Sequence, residues 1–382
     1  MNSIPNMPFY WRMDSPASRP ENIVPDRLDF SFDYDARFNL LIQRRDTRIL
    51  EYLSSVYRAD ANIGYLQEGY DIAKPYASDF MNFLDRVLTA HPSVQSALEI
   101  GCGGCMVLHE LQKRGLRVLG VDPGPLALRS GKKWDIPIVS DVFPSTRIQE
   151  RYDLILHTDV LEHVVDPLAF LRSQRDALTD DGLLLISIPD CTESIQRGDI
   201  SLVLHQHLNY FDAESLAAIV AGAGFEVLEI EVAGYGGSLY CLARKASRLG
   251  DGTCDPKPGA ERKYERFLTE TDTAIEKFRT FCAECLRDPD NALGFYVPLR
   301  AIPYLATVDR ADGFRLFDDT DHWHHRSFDG LPIPVENMAD LSQRPVSHLV
   351  IMSLTFADAI RRKVRKNLGD RIQIKELRDF LS

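Results

Sequence analysis

Apolar runs and helical patterns alternate through the middle of the chain. Residues 96–100 read as a buried strand, and a helical pattern begins at Met106 and runs to Arg114. Residues 116–121 form a second apolar run ending in Asp122, and 137–140 a short third one followed by Asp141 and Val142. Residues 152–157 and 182–189 supply a fourth and a fifth, the last ending in Asp190. Strands separated by helical stretches, with polar residues at their carboxyl ends, predict a doubly wound parallel α/β sheet. Residues 213–223 then read as a helix with Asp212 as its cap. Residues 224–232 and 238–244, joined through Gly234-Tyr235-Gly236-Gly237, read as a closing hairpin of sixth and seventh strands.

The flanks are less regular. Residues 1–30 are rich in Pro, Asn, Ser and Arg and read as an irregular arm. Residues 38–57 carry Leu40, Leu41, Ile49, Leu50 and Leu53 at roughly helical spacing, and a second helix is expected around 78–90, ended by Pro92. Residues 256–286 read as a long helix with Tyr264, Phe267, Leu268, Ile275 and Phe278 near one face.

A length of 382 residues allows two or three domains. The net charge of −12 disfavours a general nucleic-acid-binding surface. Seven scattered cysteines read as reduced thiols of a cytoplasmic protein, and no apolar run has the length of a signal peptide or a membrane span. Cys102 with Cys105 and Cys282 with Cys285 have zinc-knuckle spacing, but the pairs lie far apart and the first falls inside a glycine turn. Both are read as packing residues, and no metal site is expected. His322, His324 and His325 around Trp323 read as a surface loop with one aromatic anchor, with metal binding or sugar stacking as the alternative. Arg361, Arg362, Lys363, Arg365 and Lys366 read as a solvated helix face.

The strongest chemical signal is Glu99-Ile100-Gly101-Cys102-Gly103-Gly104. A strand running through glycines into a helix brings a ligand close to bare backbone and to a helix N-terminus. Asp122 stands about twenty residues on, the spacing at which a carboxylate takes ribose hydroxyls. A dinucleotide site wants a third glycine where the chain has Met106, and its pyrophosphate would be repelled by Glu99. A cofactor with an ammonium group and a sulfonium favours that carboxylate. The segment resembles the first motif of class I S-adenosylmethionine-dependent methyltransferases. The resemblance implies S-adenosyl-L-methionine as cofactor, with Glu99 serving its methionine end. Gly101, Cys102 and Gly103 then pass beneath that end, and Asp122 with Pro123 takes the ribose. It also implies Asp141 and Val142 at the adenine, Thr158 beneath the methionine moiety, and a Tyr from the helical cap, Tyr70 or Tyr65.

His205-Gln206-His207-Leu208-Asn209-Tyr210-Phe211 follows the fifth strand. Two histidines and a tyrosine there are candidate proton-handling groups. The stretch resembles the His-Glu-His…Tyr-Phe segment of deoxysugar C-methyltransferases, and so do residues 294–300, 314–319, 331–335 and 347–360. That resemblance implies a second, smaller α/β domain over residues 291–366. It also implies a sugar or nucleotide-sugar acceptor. Three features depart from the family. Gln206 replaces its central Glu, the cysteines of its N-terminal zinc module are absent, and Pro298 interrupts its second glycine turn.

The expected layout is an arm and helical cap (1–90), the cofactor-binding domain (91–248), a connecting helix (249–290) and a small α/β domain (291–382). The expected activity is methyl transfer from S-adenosyl-L-methionine to oxygen or carbon of a small acceptor, without nucleic-acid or membrane partners; self-association is left open. His207 is the first choice of base and His205 the second, with Gln206 and Tyr210 as hydrogen-bonding partners and His163 at the rim. A cofactor-binding scaffold without catalysis and a dinucleotide enzyme are the competing readings.

Overall fold

In the computed structural model, residues 2–14, 23–59, 73–246, 258–288, 291–309 and 312–382 are described. A seven-stranded sheet carries the centre of the chain. Its strands, numbered within the sheet, are β1 (Ser96–Ile100), β2 (Arg117–Val121), β3 (Ile138–Val139), β4 (Tyr152–Thr158), β5 (Leu178–Pro189), β6 (Phe225–Val232) and β7 (Ser238–Lys245). Their order across the sheet is β3-β2-β1-β4-β5-β7-β6. β1 to β5 are parallel; β7 enters antiparallel between β5 and β6. The chain reverses direction across the sheet between β1 and β4, so the crevice beyond their carboxyl ends is where such sheets take ligands.

Alternation along the strands divides the core between the two faces. Ala97, Leu154, Leu156, Leu183, Leu185, Tyr240 and Leu242 pack on one side. There they meet Phe83 and Leu84 of the helix Ala73–Ala90 and Leu108 and Leu111 of the helix Met106–Lys113. Leu98, Ile155, Leu184, Ile186, Leu239 and Cys241 face the other side. They pack on Phe170 and Leu171 of Pro167–Ala177 and on Leu216 and Ile219 of Ala213–Gly222. The latter helix starts in a capping box, in which Asp212 accepts from the Ser215 amide and the Ser215 hydroxyl accepts from the Asp212 amide.

The chain divides into two compact units. One contains Tyr34–Thr192 and His207–Glu261, including the seven-stranded sheet. The other contains Met1–Asp33, Glu193–Gln206 and Arg262–Ser382. These cuts differ from the boundaries expected at residues 90, 248 and 290, because Met1–Asp33 and Glu193–Gln206 find their packing partners far along the chain.

The second unit holds a parallel five-stranded sheet in the order Val335–Glu336, Phe314–Phe317, Leu293–Tyr296, His348–Ile351, Gln373–Glu376. The strands expected at 314–319 and 347–353 thus lie in one sheet. The described part of the arm is not irregular. Ser3–Pro8 pairs antiparallel with Arg27–Asp35, and Met13–Asp14 pairs with Ser327–Phe328. In the first unit, Leu40–Gln43 is a strand paired with Asn209–Tyr210, so the helix expected over 38–57 begins only at Thr47, behind its Asp46 cap. Cys282 and Cys285 are buried near the end of the helix Ala260–Cys285, as packing residues. In the basic run, Arg361 pairs with Glu376, Lys363 with Asp319 and Arg365 with Asp370, so this face is salt-bridged within its own unit. Among the described residues no helix is long and apolar enough to cross a membrane.

Candidate active site at the carboxyl ends of the central strands

β1 ends in a turn of left-handed residues: Gly101 at φ +71°, Gly103 at +43° and Cys105 at +60°. The helix Met106–Lys113 starts at once. A β-carbon on Gly101 would lie 2.6 Å from Cγ2 of Val160, whereas one on Gly103 would meet nothing within 4 Å. Gly101 is therefore small because protein packs on it, and Gly103 because the backbone turns there. Gly103 borders open space. The Gly101 amide donates to the Val121 carbonyl at 2.8 Å, tying the turn to β2.

Asp122, at the end of β2, is buried and braces this turn. It accepts from the Gly103 amide at 2.9 Å and from the Gly124 amide at 2.6 Å. Burial holds its carboxyl above the usual range despite those two bonds. A carboxylate has about four acceptor sites, so a hydroxyl can still be taken. Glu99 is also buried, and its Oε2 has no hydrogen-bond partner. Burial pushes its pKa well up, helped by Cys105 and Asp122. A buried acid of this kind lacks a cation, and the ammonium and sulfonium of S-adenosylmethionine are cations. The unpaired Oε2 of Glu99 and the open turn fit that group.

The other expected cofactor residues divide by environment. The Cys102 side chain is buried away from the turn, its Sγ where a β-carbon on Gly120 would be at 2.6 Å, so only its backbone belongs to the turn. Pro123 is half-buried directly after Asp122. Asp141 accepts from the Ser145 hydroxyl at 2.6 Å and the Val142 amide at 2.9 Å, which together lower its pKa, and Val142 is exposed. Thr158 is half-buried at the end of β4. Tyr65 and Tyr70 lie outside the described residues.

After β4 the chain makes a short 3-10 turn, Leu161–His163. His163 and His207 are half-buried and meet edge to face, with ring centroids 4.9 Å apart; Tyr57 meets His163 at 5.9 Å and Tyr210 meets His207 at 6.2 Å. Glu162 points into the same place. It is buried, neither carboxylate oxygen has a hydrogen-bond partner, and its Oε1 stands 3.8 Å from Nε2 of His163. Burial, and then the charge of Asp159, raise its pKa well above the usual carboxylate range.

Asn209 fixes this cluster. Its amide nitrogen donates to the carbonyls of Leu161 at 3.0 Å and Val164 at 2.8 Å, while its oxygen accepts from Arg45 at 2.7 Å. The Leu208 amide donates to the Glu162 carbonyl at 2.7 Å. The sequence reading missed Glu162, Asn209 and Arg45. Glu162 had a signal, an acid beside His163 in a strand-end turn; the other two act through contacts no local pattern shows.

Two of the expected catalytic partners, His205 and Gln206, belong to the other compact unit, and Tyr210 stays with His207. His205 is buried in the other compact unit, stacked on Phe9 at 5.0 Å and 8° and tilted against Phe30. Burial lowers its pKa to about 4. Gln206 is buried in that same unit, and the division falls between it and His207. Tyr210 remains with His207: it is buried in its strand, and the two rings meet in a T-shaped arrangement.

Residues 73–230 match the model of a methyltransferase domain family. A ubiquinone biosynthesis O-methyltransferase of Cereibacter sphaeroides is 33% identical over 97 residues, covering 24% of this chain and 39% of that protein. The protein of the same name from Azorhizobium caulinodans is 26% identical over 152 residues, covering 35% and 59%. The chain thus spans less than two thirds of the length of either relative. A solved 1,6-didemethyltoxoflavin-N1-methyltransferase of Burkholderia thailandensis, with bound S-adenosylhomocysteine, is 17% identical at a TM-score of 0.38, covering 60% of this chain and all of that one. The two ubiquinone-biosynthesis relatives are O-methyltransferases and the solved neighbour is an N-methyltransferase; none of the three bears the sugar C-methyltransferase name.

Proposed function

We propose that this chain, through the methyltransferase domain that residues 73–230 match, transfers a methyl group from S-adenosylmethionine to a hydroxyl of a small acceptor. The observation that carries the reading is the buried carboxylate of Glu99, whose Oε2 has no hydrogen-bond partner, beside the left-handed turn braced by Asp122. Glu99 holds the methionine end, Asp122 the ribose, and Asp141 with Val142 the adenine. Bound there, the cofactor would supply a methyl group on a cationic sulfur, and transfer to the acceptor oxygen would return the sulfur–carbon bonding pair to sulfur.

Most of the acceleration is alignment. The hydroxyl proton is lost at the cluster of Glu162, His163 and His207. Oxygen is favoured over carbon as the target because Gln206 is buried in the other unit and no carboxylate stands in the expected place beside His207 in sequence. A hydroxyl needs a weaker base than a carbon acid does.

Two acceptor classes remain. The C-terminal resemblance supports a sugar or nucleotide sugar, and the relatives' names support an acceptor of ubiquinone biosynthesis. Calorimetry with S-adenosylhomocysteine tests the cofactor, and labelled-methyl transfer over nucleotide sugars and phenols tests the acceptor. Absence of S-adenosylhomocysteine binding, or tighter binding of NAD, overturns the reading.

A further inference from the structure

Glu162, His163 and His207 form the one grouping among the described residues in which three donor atoms of His, Cys, Asp or Glu lie within 4.8 Å of one another. All three belong to the same compact unit. They reach the group from two separately anchored pieces of chain. Glu162 and His163 ride on the 3-10 turn after β4, and His207 precedes the strand Asn209–Tyr210. The Leu208–Glu162 backbone bond and the three bonds of Asn209 lock these pieces together. A carboxylate with both oxygens buried and without a hydrogen-bond partner is costly unless a cation meets it. Here it faces two half-exposed imidazoles, a rim that solvent and a metal can reach.

We propose that Glu162, His163 and His207 bind a zinc ion. Two imidazoles and one carboxylate are the donor set of catalytic zinc sites, which keep a further position for water or substrate. Magnesium and calcium prefer all-oxygen sites. Zinc bonds of about 2.1 Å at a tetrahedral centre put donors about 3.4 Å apart, so the group must contract from its present spacing, in which Glu162 Oε1 and His163 Nε2 are 3.8 Å apart. Tyr57 meets the His163 ring and Tyr210 the His207 ring, both in T-shaped arrangements.

The purpose of the site rests on the proposed methyl transfer, although its existence does not. A positive charge beside the acceptor oxygen lowers the pKa of a hydroxyl. His163 and His207 then act as ligands, and charge rather than imidazole basicity releases the proton.

The test uses the full chain, stripped with a chelator, dialysed and titrated with zinc chloride by calorimetry and with cobalt chloride by visible absorption. One site per chain and the strong absorption of four-coordinate cobalt are expected. His163→Gln and His207→Gln should each weaken zinc binding at least tenfold, as should Glu162→Gln. His322→Gln, in the polar loop beside Trp323, should leave it unchanged. If Glu162→Gln fails to fold, the two histidine variants decide alone. A wild type without saturable zinc binding, or variants that bind zinc as the wild type does, overturns the site. Titration of the same samples with S-adenosylhomocysteine separates the two readings. Cofactor binding without zinc binding leaves methyl transfer standing and removes the metal; zinc binding without cofactor binding does the reverse.

Discussion

Gly101 and Val160 touch: a β-carbon on the glycine would stand 2.6 Å from the valine Cγ2. This contact joins the turn after β1, which carries the proposed cofactor residues, to the turn after β4, which leads to Glu162 and His163. Gly101→Ala should therefore do two kinds of harm, a clash with Val160 and strain at φ +71°. Strain of that kind costs about 1–3 kcal/mol. Urea unfolding should show the loss, and calorimetry should show weaker S-adenosylhomocysteine binding. Adding Val160→Ala should recover the clash and leave the strain; no recovery would mean the contact is not what limits the variant.

Asp122→Ala removes a carboxylate that accepts from two backbone amides. Binding of S-adenosylhomocysteine should weaken by about 1–3 kcal/mol, the range for hydrogen bonds to charged groups. Asp122→Asn keeps one oxygen acceptor and should fall between the two. Unchanged affinity in both would remove Asp122 from the cofactor site.

The two histidines either side of Gln206 should behave differently. His207→Ala should lower turnover about 10²–10⁴-fold, the range for loss of a proton-handling group, with cofactor affinity nearly intact. His205 is stacked on Phe9 in a core, so His205→Ala should lower stability by on the order of 2 kcal/mol. Equal kinetic losses at equal stability would contradict this division.

Asn209→Ala should act on the cluster through position alone, because its side chain ties Leu161 and Val164 to Arg45. Turnover should fall while S-adenosylhomocysteine affinity holds. Asn209→Asp keeps the acceptor for Arg45 and loses the two donated bonds. It should rescue little, and full rescue would place the effect at Arg45 instead.

His157 sets an acid limit on stability. It is buried in β4, neither ring nitrogen has a hydrogen-bond partner, and burial lowers its pKa to about 3. An unfolded histidine protonates near pH 6.5. Between about 6.5 and 3 the unfolded chain binds a proton that the folded chain refuses, so stability falls as pH drops through that window. The slope approaches about 1.4 kcal/mol per pH unit. Glu162 acts with the opposite sign, since its raised pKa favours the folded state at low pH and that contribution is lost as pH rises above the usual carboxylate range. Urea unfolding of wild type and His157→Leu at pH 7 and pH 5 isolates the histidine. The variant should lose less stability on acidification, and parallel losses would refute the assignment.

The sheet and the glycine turn were legible in the sequence because their signals are local. Strand alternation separates Ile155 from Leu154 and Leu156, and a left-handed turn needs glycine at Gly101 and Gly103. What was not legible depends on distant partners. Ser3–Pro8 becomes a strand only by pairing with Arg27–Asp35, and its Pro and Asn residues hide that. Leu40 and Leu41 fit a helical pattern, but pairing with Asn209–Tyr210 holds their segment extended. His205 and His207 look equivalent in sequence. Which of them is a core residue was decided by Phe9, almost two hundred positions earlier.

The excursion Glu193–Gln206 governs how the protein can be taken apart. The chain leaves the cofactor-binding unit after Thr192 and rejoins it at His207. In between, the Val203 carbonyl accepts from Tyr10 at 2.6 Å, Asp199 accepts from Tyr304 at 3.1 Å, and a β-carbon on Gly198 would lie 2.2 Å from the Thr271 nitrogen. A fragment cut at residues 34–261 would keep every strand of the large sheet. It would also display Ile195, Ile200 and Val203 to water, immediately before His207. No contiguous piece of this chain therefore carries Glu162, His163 and His207 together without also carrying an apolar strip made for something else. Gene fusions, swaps or minimal versions of the domain would have to replace that strip with a polar bridge from Thr192 to His207.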